Sequence, residues 1–297
     1  MNSTGINRVA CVIVTYNRLE LLKMAIMSLR KQSYVDNNII IVNNGSTDGT
    51  KEWLTGQTDL IVINQTNLGG AGGFYSGMKY AFENGYEWIW MMDDDGVADK
   101  YQLENLLKGA KRLNSNFVNA LVCNIDNKET LAFGHDIDGH HISLAKEAKR
   151  MTEIKNSINP FNGTLVHRSV IEKIGFIKKE MFIWGDEVEY MNRAMKAGYV
   201  LYTITNAIHY HPELRAPKSY VIPFIKRGIV SIPNNPERAY IKYRNIGYLC
   251  HTYFPQTKNS IIIKHLLYFM FRFNLKGYRT FLSAFRDGEN GIFKTFK

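Results

Sequence analysis

Cysteine is scarce in this chain of 297 residues: Cys11, Cys123 and Cys250 are all it has. They are odd in number and widely spaced, and match neither a metal-ligand spacing nor a disulfide framework. Free thiols in a reducing, cytoplasmic compartment are expected. No stretch of about 18 uncharged apolar residues occurs, so no membrane-spanning helix is expected. The N-terminal MNSTGINR lacks the apolar run of a signal peptide. There is no P-loop, and no G-x-G-x-x-G follows the first apolar run, which argues against P-loop and dinucleotide-binding enzymes. Net charge is also missing from the first 225 residues. Residues 226–297 hold thirteen Lys/Arg against three Asp/Glu, which is the whole formal charge of +10. A neutral body with a basic tail suggests an anionic partner, membrane or nucleic acid. The body shows no basic face in its sequence, which speaks against a nucleic-acid enzyme. Length and the charge shift together predict a main domain over 1–225 and a basic helical region over 226–297.

What the chain does have is apolar runs that each end in a polar motif. Residues 9–14 (VACVIV), 39–42, 60–63 and 88–92 read as buried strands. Helical patterns fall between them, at 19–32, from the glycines near 70 to about 84, and at 102–113. This alternation predicts an α/β fold with a mostly parallel sheet. Ligands of such sheets bind beyond the carboxyl ends of the strands. The motifs TYNR (15–18), NNGSTD (43–48), NLGGAGG (67–73) and DDD (93–95) are therefore expected to converge on one edge. The glycines at 69–73 allow either close approach to an anion or a tight strand-to-helix connection. Residues 126–160 are polar and read as a loop over the site.

The centre of the pattern is the run WIWMM, which leads straight into Asp93, Asp94, Asp95 and Gly96. Three adjacent carboxylates repel one another, and a divalent cation is the usual remedy. Oxygen ligands suit Mg²⁺ or Mn²⁺. Extended backbone sends alternate side chains the same way, so Asp93 and Asp95 are expected on one face and Asp94 on the other. A second acidic cluster, Asp186 and Glu187, opens a helix at 188–197. Trp184 beside it supplies an apolar wall suited to raising the pKa of a base. A strand at 200–208 then delivers His209 and His211, either of which can serve as a metal ligand. In the tail, 237–254 and 258–273 read as helices rich in aromatic, aliphatic and basic residues, fit for packing or for a membrane interface.

These motifs, in this order over residues 8–215, resemble the inverting family 2 glycosyltransferases of the GT-A (nucleotide-diphospho-sugar transferase) type. The string NLGGAGGF with a triple Asp is similar to the galactofuranosyltransferase branch, with rhamnosyltransferases as near neighbours. The resemblance implies a metal, Mn²⁺ or Mg²⁺, held by Asp93 and Asp95 with His211 (or His209). It implies a donor site lined by Thr15, Tyr16, Arg18, Asn43, Asn67, Gly69, Gly70, Asp94 and Trp184, and a base that is Glu187 or Asp186. Two departures stand out. Asn43 takes a place where many members carry Asp, and Glu187 a place where the family has its catalytic Asp. The implied donor is UDP-galactofuranose, with dTDP-rhamnose the alternative. The implied acceptor is a hydroxyl of a bacterial glycan or glycolipid. The expected location is the inner face of the cell membrane, with peripheral attachment to anionic lipid; a homo-oligomer is open. The rival of another class is a non-catalytic carbohydrate-binding protein, which would need no second acid pair.

Overall fold

The computed structural model describes residues 8–213, 219–222 and 229–294. The chain divides into two compact units: Met1–Lys179 with Tyr190–Leu214, and Glu180–Glu189 with Arg215–Lys297. The expected junction at 225/226 lies outside the described residues.

The first unit starts with β1 (Val9–Thr15), α1 (Leu19–Leu29), β2 (Asn37–Asn43), α2 (Thr50–Thr55), β3 (Leu60–Asn64), α3 (Gly69–Glu83), β4 (Trp88–Asp93), β5 (Val97–Ala98) and α4 (Gln102–Leu113). It continues with β6 (Phe117–Asn124), β7 (Thr130–Ile137), β8 (His140–Leu144), α5 (Ala145–Ala148), β9 (Glu153–Lys155), β10 (Asn162–His167) and α6 (Arg168–Ile174). Next come α7 (Asp186–Lys196), whose first turn is counted with the second unit, and β11 (Tyr202–His211). One mixed sheet runs β3-β2-β1-β4-β10-β6-β11-β5, with β7, β8 and β9 beside that path. It is the mostly parallel, helix-flanked α/β sheet that the alternation predicts.

Strand direction explains where the polar motifs end up. β3, β2, β1 and β4 are parallel. β10 is antiparallel to both β4 and β6, so β6 regains the direction of β4, and β11 is parallel to β6. Thr15, Asn43, Asn64, Asp93, Asn124 and His211 therefore all end strands at one edge. The chain after Asp95 then doubles back as β5 against β11, pairing Ala98 with His209 and Val97 with Tyr210. That pairing is what brings the acid-rich turn to His211.

The glycines of α3 have a packing role. A Cβ on Gly73 would lie 2.3 Å from Val14 Cγ1, and one on Gly77 2.3 Å from Val12 Cγ1. Val12 and Val14 share one face of the fully buried β1. Alanine in a helix interior usually stabilises by about 1 kcal/mol relative to glycine. Here the clash reverses the sign. Gly73→Ala should destabilise by about 1–3 kcal/mol, read as a lower urea midpoint with unchanged slope. A midpoint equal to or above that of the unaltered protein would refute the tight α3–β1 contact.

Residues 126–160 are not the expected loop. They form the β7–β8 hairpin, α5 and β9, because Leu131, Ile142, Ala145, Ala148 and Ile154 bury a small core against Leu121, Cys123 and Ile208. The last strand also runs further than expected, to His211, so both histidines lie within it.

The second unit contains β12 (Ser219–Val221), β13 (Ile229–Ser231), α8 (Pro236–Thr252), α9 (Lys258–Met270) and α10 (Leu275–Glu289). The third of these helices is additional to the two expected. Asn235 caps α8 by accepting from the Glu237 and Arg238 amides. Phe281 and Phe285 of α10 join Tyr243, Cys250 and Phe269 in a buried core. No helix among the described residues is long and apolar enough to cross a membrane.

Candidate active site

Asp93, Asp95 and His211 each present a ligand atom within 4.8 Å of the others. His211 Nε2 lies 3.1 Å from Asp95 Oδ1. No donor among the described residues is aligned to hydrogen-bond that oxygen, so the contact is an ion pair when the imidazole carries its second proton. On the other ring nitrogen, His211 Nδ1 is 2.6 Å from the carbonyl of Pro212. A carbonyl only accepts, so Nδ1 carries the proton and Nε2 faces the acids. The ring of Phe133, from the hairpin, packs 5.0 Å from the imidazole. His209 behaves differently. It is fully buried, its Nδ1 lies 3.2 Å from Gln102 Oε1, and its Nε2 presses on Gly96, where a Cβ would come within 2.2 Å. It packs beneath the acid turn, apart from the Asp93–Asp95–His211 group.

Asp94 lies in the turn that begins where β4 ends at Asp93, beyond the reach of strand alternation. Its buried carboxylate accepts from Thr15 Oγ1 at 2.8 Å and from Arg18 at 3.1 Å; Arg18 also reaches Asp95 Oδ2 at 2.8 Å. Burial, reinforced by the Asp95 and Asp94 charges, pushes Asp93 up to about 7. Burial also raises Asp94, to about 6, against the pull of Arg18 and Thr15. Asp95 is only partly buried, and its contact with His211 and the charge of Arg18 outweigh that burial and hold it below the usual carboxylate range. Burial lowers His211, yet Asp95 wins there as well and the imidazole is raised. Like-charged oxygens held together out of water, with an imidazole nitrogen beside them, fit a hard divalent cation.

The loops after β1, β2 and β3 are tied to one another by side-chain amides. Asn43 is buried, donating to Asn64 Oδ1 at 2.8 Å and accepting from the Ser46 amide at 3.1 Å. Asn44 donates to the Gly69 carbonyl at 2.9 Å and accepts from the Leu68 amide at 3.1 Å. Asn67 accepts from the Gly69 amide at 2.9 Å. Asp48 receives the Leu19 amide at 3.0 Å at the start of α1. Tyr16 is exposed, and a Cβ on Gly70 would meet nothing within 4 Å. The tying roles of Asn44 and Asp48 were absent from the sequence reading, although both lie in the NNGSTD motif.

The second acidic cluster belongs to the other unit. Asp186 is buried, whereas Glu187 is partly exposed and its Oε2 accepts from the Gly185 amide at 2.9 Å. The turn before them is unusual, because Phe182 and Trp184 both have positive φ, 66° and 64°. α8 holds it in place. Asn245 donates to the carbonyls of Met181, Ile183 and Trp184 at 2.8–3.0 Å. The buried guanidinium of Arg244 donates to those of Glu180 and Met181. Lys242 Nζ stands 5.9 Å from the Trp184 ring centroid. Nothing in the spacing of Arg244 and Asn245 marks them as the supports of a turn sixty residues earlier.

Parallel strands that deliver acids, amides and a histidine to one edge are built for a charged, oxygen-rich ligand. Comparison with known proteins gives that ligand a class. The model of glycosyl transferase family 2 matches residues 10–175, and the chain belongs to that family: it is a glycosyltransferase. Among its relatives, galactofuranosyltransferase GlfT1 of Mycobacterium tuberculosis is 32% identical over 251 residues, covering 81% of each chain. The Mycolicibacterium smegmatis protein of the same name is 31% identical, over 81% of this chain and 82% of its own. A more distant relative, dTDP-rhamnosyl transferase RfbF of Shigella flexneri, is 25% identical over 80% of this chain and 78% of its own.

Proposed function

We propose that this glycosyltransferase moves galactofuranose from UDP-galactofuranose to a hydroxyl of a glycan acceptor, with inversion at the anomeric carbon. The observation that carries the donor assignment is the 31–32% identity to galactofuranosyltransferases across four-fifths of the chain. Asp93, Asp95 and His211 would hold Mn²⁺ or Mg²⁺. Bound there, the cation supplies positive charge against the diphosphate leaving group. Arg18, paired with Asp94 and Asp95, adds a second positive charge. Asp94, fixed by Thr15 and Arg18, is assigned to the donor, as are Tyr16, Asn43, Asn67, Gly69, Gly70 and Trp184. Glu187 takes the proton of the attacking hydroxyl, with Asp186 the alternative. Partial exposure favours Glu187, since a base has to reach its proton. A single displacement of this kind inverts configuration.

The acceptor is assigned to a lipid carrier, with the protein peripheral at the inner, anionic face of the cell membrane. The basic tail supports this. A screen of nucleotide sugars with the purified protein, read by UDP or dTDP release and by NMR of the product anomer, tests the donor. Turnover with UDP-galactofuranose is expected to exceed that with dTDP-rhamnose by at least about 100-fold, since pocket contacts that differ by about 3 kcal/mol give that ratio. Turnover with dTDP-rhamnose alone would move the chain to the branch of its Shigella relative.

A further inference from the structure

The turn between α9 and α10 has an exposure pattern that folding does not explain. Met270 is 50% exposed, Phe271 57%, Phe273 96% and Leu275 64%. These four large apolar side chains lie within six residues. Ile263, seven residues before Met270 and so on the same face of α9, is half exposed too. Phe273 also has φ of 51°. That left-handed position just past a helix end normally falls to glycine or asparagine. The chain instead places there its most exposed large apolar side chain among the described residues, and its burial in the fold offsets none of the strain.

Charge around the turn has one sign. From residue 259 to 286 the sequence has Lys264, Arg272, Lys276, Arg279 and Arg286, and no Asp or Glu. Arg272 lies within the turn, its guanidinium over the rings of Tyr220 and Tyr268 at 4.3 and 5.0 Å. Lys276, Arg279 and Arg286 fall within one face of α10 and are exposed. The acids that follow, Asp287 and Glu289, are paired with Lys294 and Lys258. Apolar tips projecting from an unopposed cationic surface complement an acyl boundary beneath anionic headgroups.

We propose that residues 270–275 are the segment that enters the headgroup layer of an anionic bilayer, with the cations of α9 and α10 against the lipid phosphates. This rests on the membrane-surface reading above and gives it a location. Two measurements test it. In the first, the intact chain and the triple variant Phe271→Ser, Phe273→Ser, Leu275→Ser are co-sedimented with phosphatidylglycerol-containing and with pure phosphatidylcholine vesicles, at low and high salt. Each lost apolar anchor removes a substantial part of the partition free energy, so the variant's partition should fall by about 100-fold. The intact chain should prefer anionic vesicles and lose that preference in high salt. In the second, Phe273→Cys carries a polarity-sensitive dye, which is selective because Cys11, Cys123 and Cys250 are all buried. Its emission should shift to the blue on anionic vesicles only. If the intact chain ignores anionic lipid, the membrane reading itself fails. If it binds but the triple variant binds equally and the dye stays in water, the location is wrong and the membrane reading stands. A dimer lost in the triple variant, with no vesicle binding, would give the turn to a second copy of the chain and overturn the proposal.

Discussion

Asp95→Ala is expected to lower turnover by at least about a thousandfold, because on the proposed assignment it removes a ligand of the charge-neutralising cation and leaves Asp93 facing an incomplete site. Asp93→Ala should do the same, and excess EDTA should silence the unaltered protein. Asp94→Ala should act mainly through the donor KM, since its carboxylate is turned towards Thr15 and Arg18. Metal binding adds a readout that does not depend on activity. With no metal, Asp93 titrates near 7 because burial and two neighbouring carboxylates disfavour its charge. His211 is raised as well. A cation must displace both protons, so Mn²⁺ affinity should climb from pH 6 to pH 8. The same raised pKa values mean that the metal-free fold holds more protons than the unfolded chain. Stability from these groups is present at low pH and is lost as pH rises through their folded values. The increase in Tm on adding Mn²⁺ should therefore be larger at pH 8 than at pH 6. Full activity in EDTA, or a thermal shift that ignores both pH and Asp95→Ala, would remove the metal from the assignment.

Motifs that end strands were legible because strand and motif are one continuous signal. A buried run such as WIWMM can only be a strand or a core helix, and the acids after it can only lie at its exit. Side-chain parity does not reach past Asp93, because Asp94 and Asp95 lie in the turn after β4 and one Arg18 nitrogen contacts both. Parity alone left His209 and His211 equivalent. What divides them is β5, a two-residue strand too short to read, which carries the acid turn back along β11 and places Gly96 on His209 and Asp95 on His211. The hairpin at 130–144 was missed for another reason. Beyond the short run Leu131-Ala132-Phe133 its apolar residues are single and spread among polar ones, although Asp138-Gly139, both with positive φ, is a strong two-residue turn signal. The hold of Asn245 and Arg244 on the turn at 181–184 depends on tertiary packing, and no local pattern encodes it.

That hold bears on the identity of the base. Asn245 and Arg244 bind the carbonyls of a turn whose backbone is strained at Phe182 and Trp184, and the helix bearing Asp186 and Glu187 starts directly from it. Strain sustained by surrounding hydrogen bonds is characteristic of positions where side-chain placement matters. Of the two acids, Asp186 is buried at the helix start, where the helix dipole stabilises its charge. Glu187 is partly exposed, and its carboxylate accepts only from the amide of Gly185 among the described residues, so it has room to accept a proton. Glu187→Gln keeps shape and that amide contact but removes basicity. It should reduce kcat by about 10³-fold, within the range for loss of a general base, while UDP affinity by calorimetry changes little. Asp186→Asn should lower Tm more than Glu187→Gln does and leave more of kcat intact. The reverse pattern, with Asp186→Asn inactive but stable and Glu187→Gln active, would transfer the role to Asp186. If both variants kept their turnover, neither acid would be the base, and the proton of the acceptor hydroxyl would have to leave by another route.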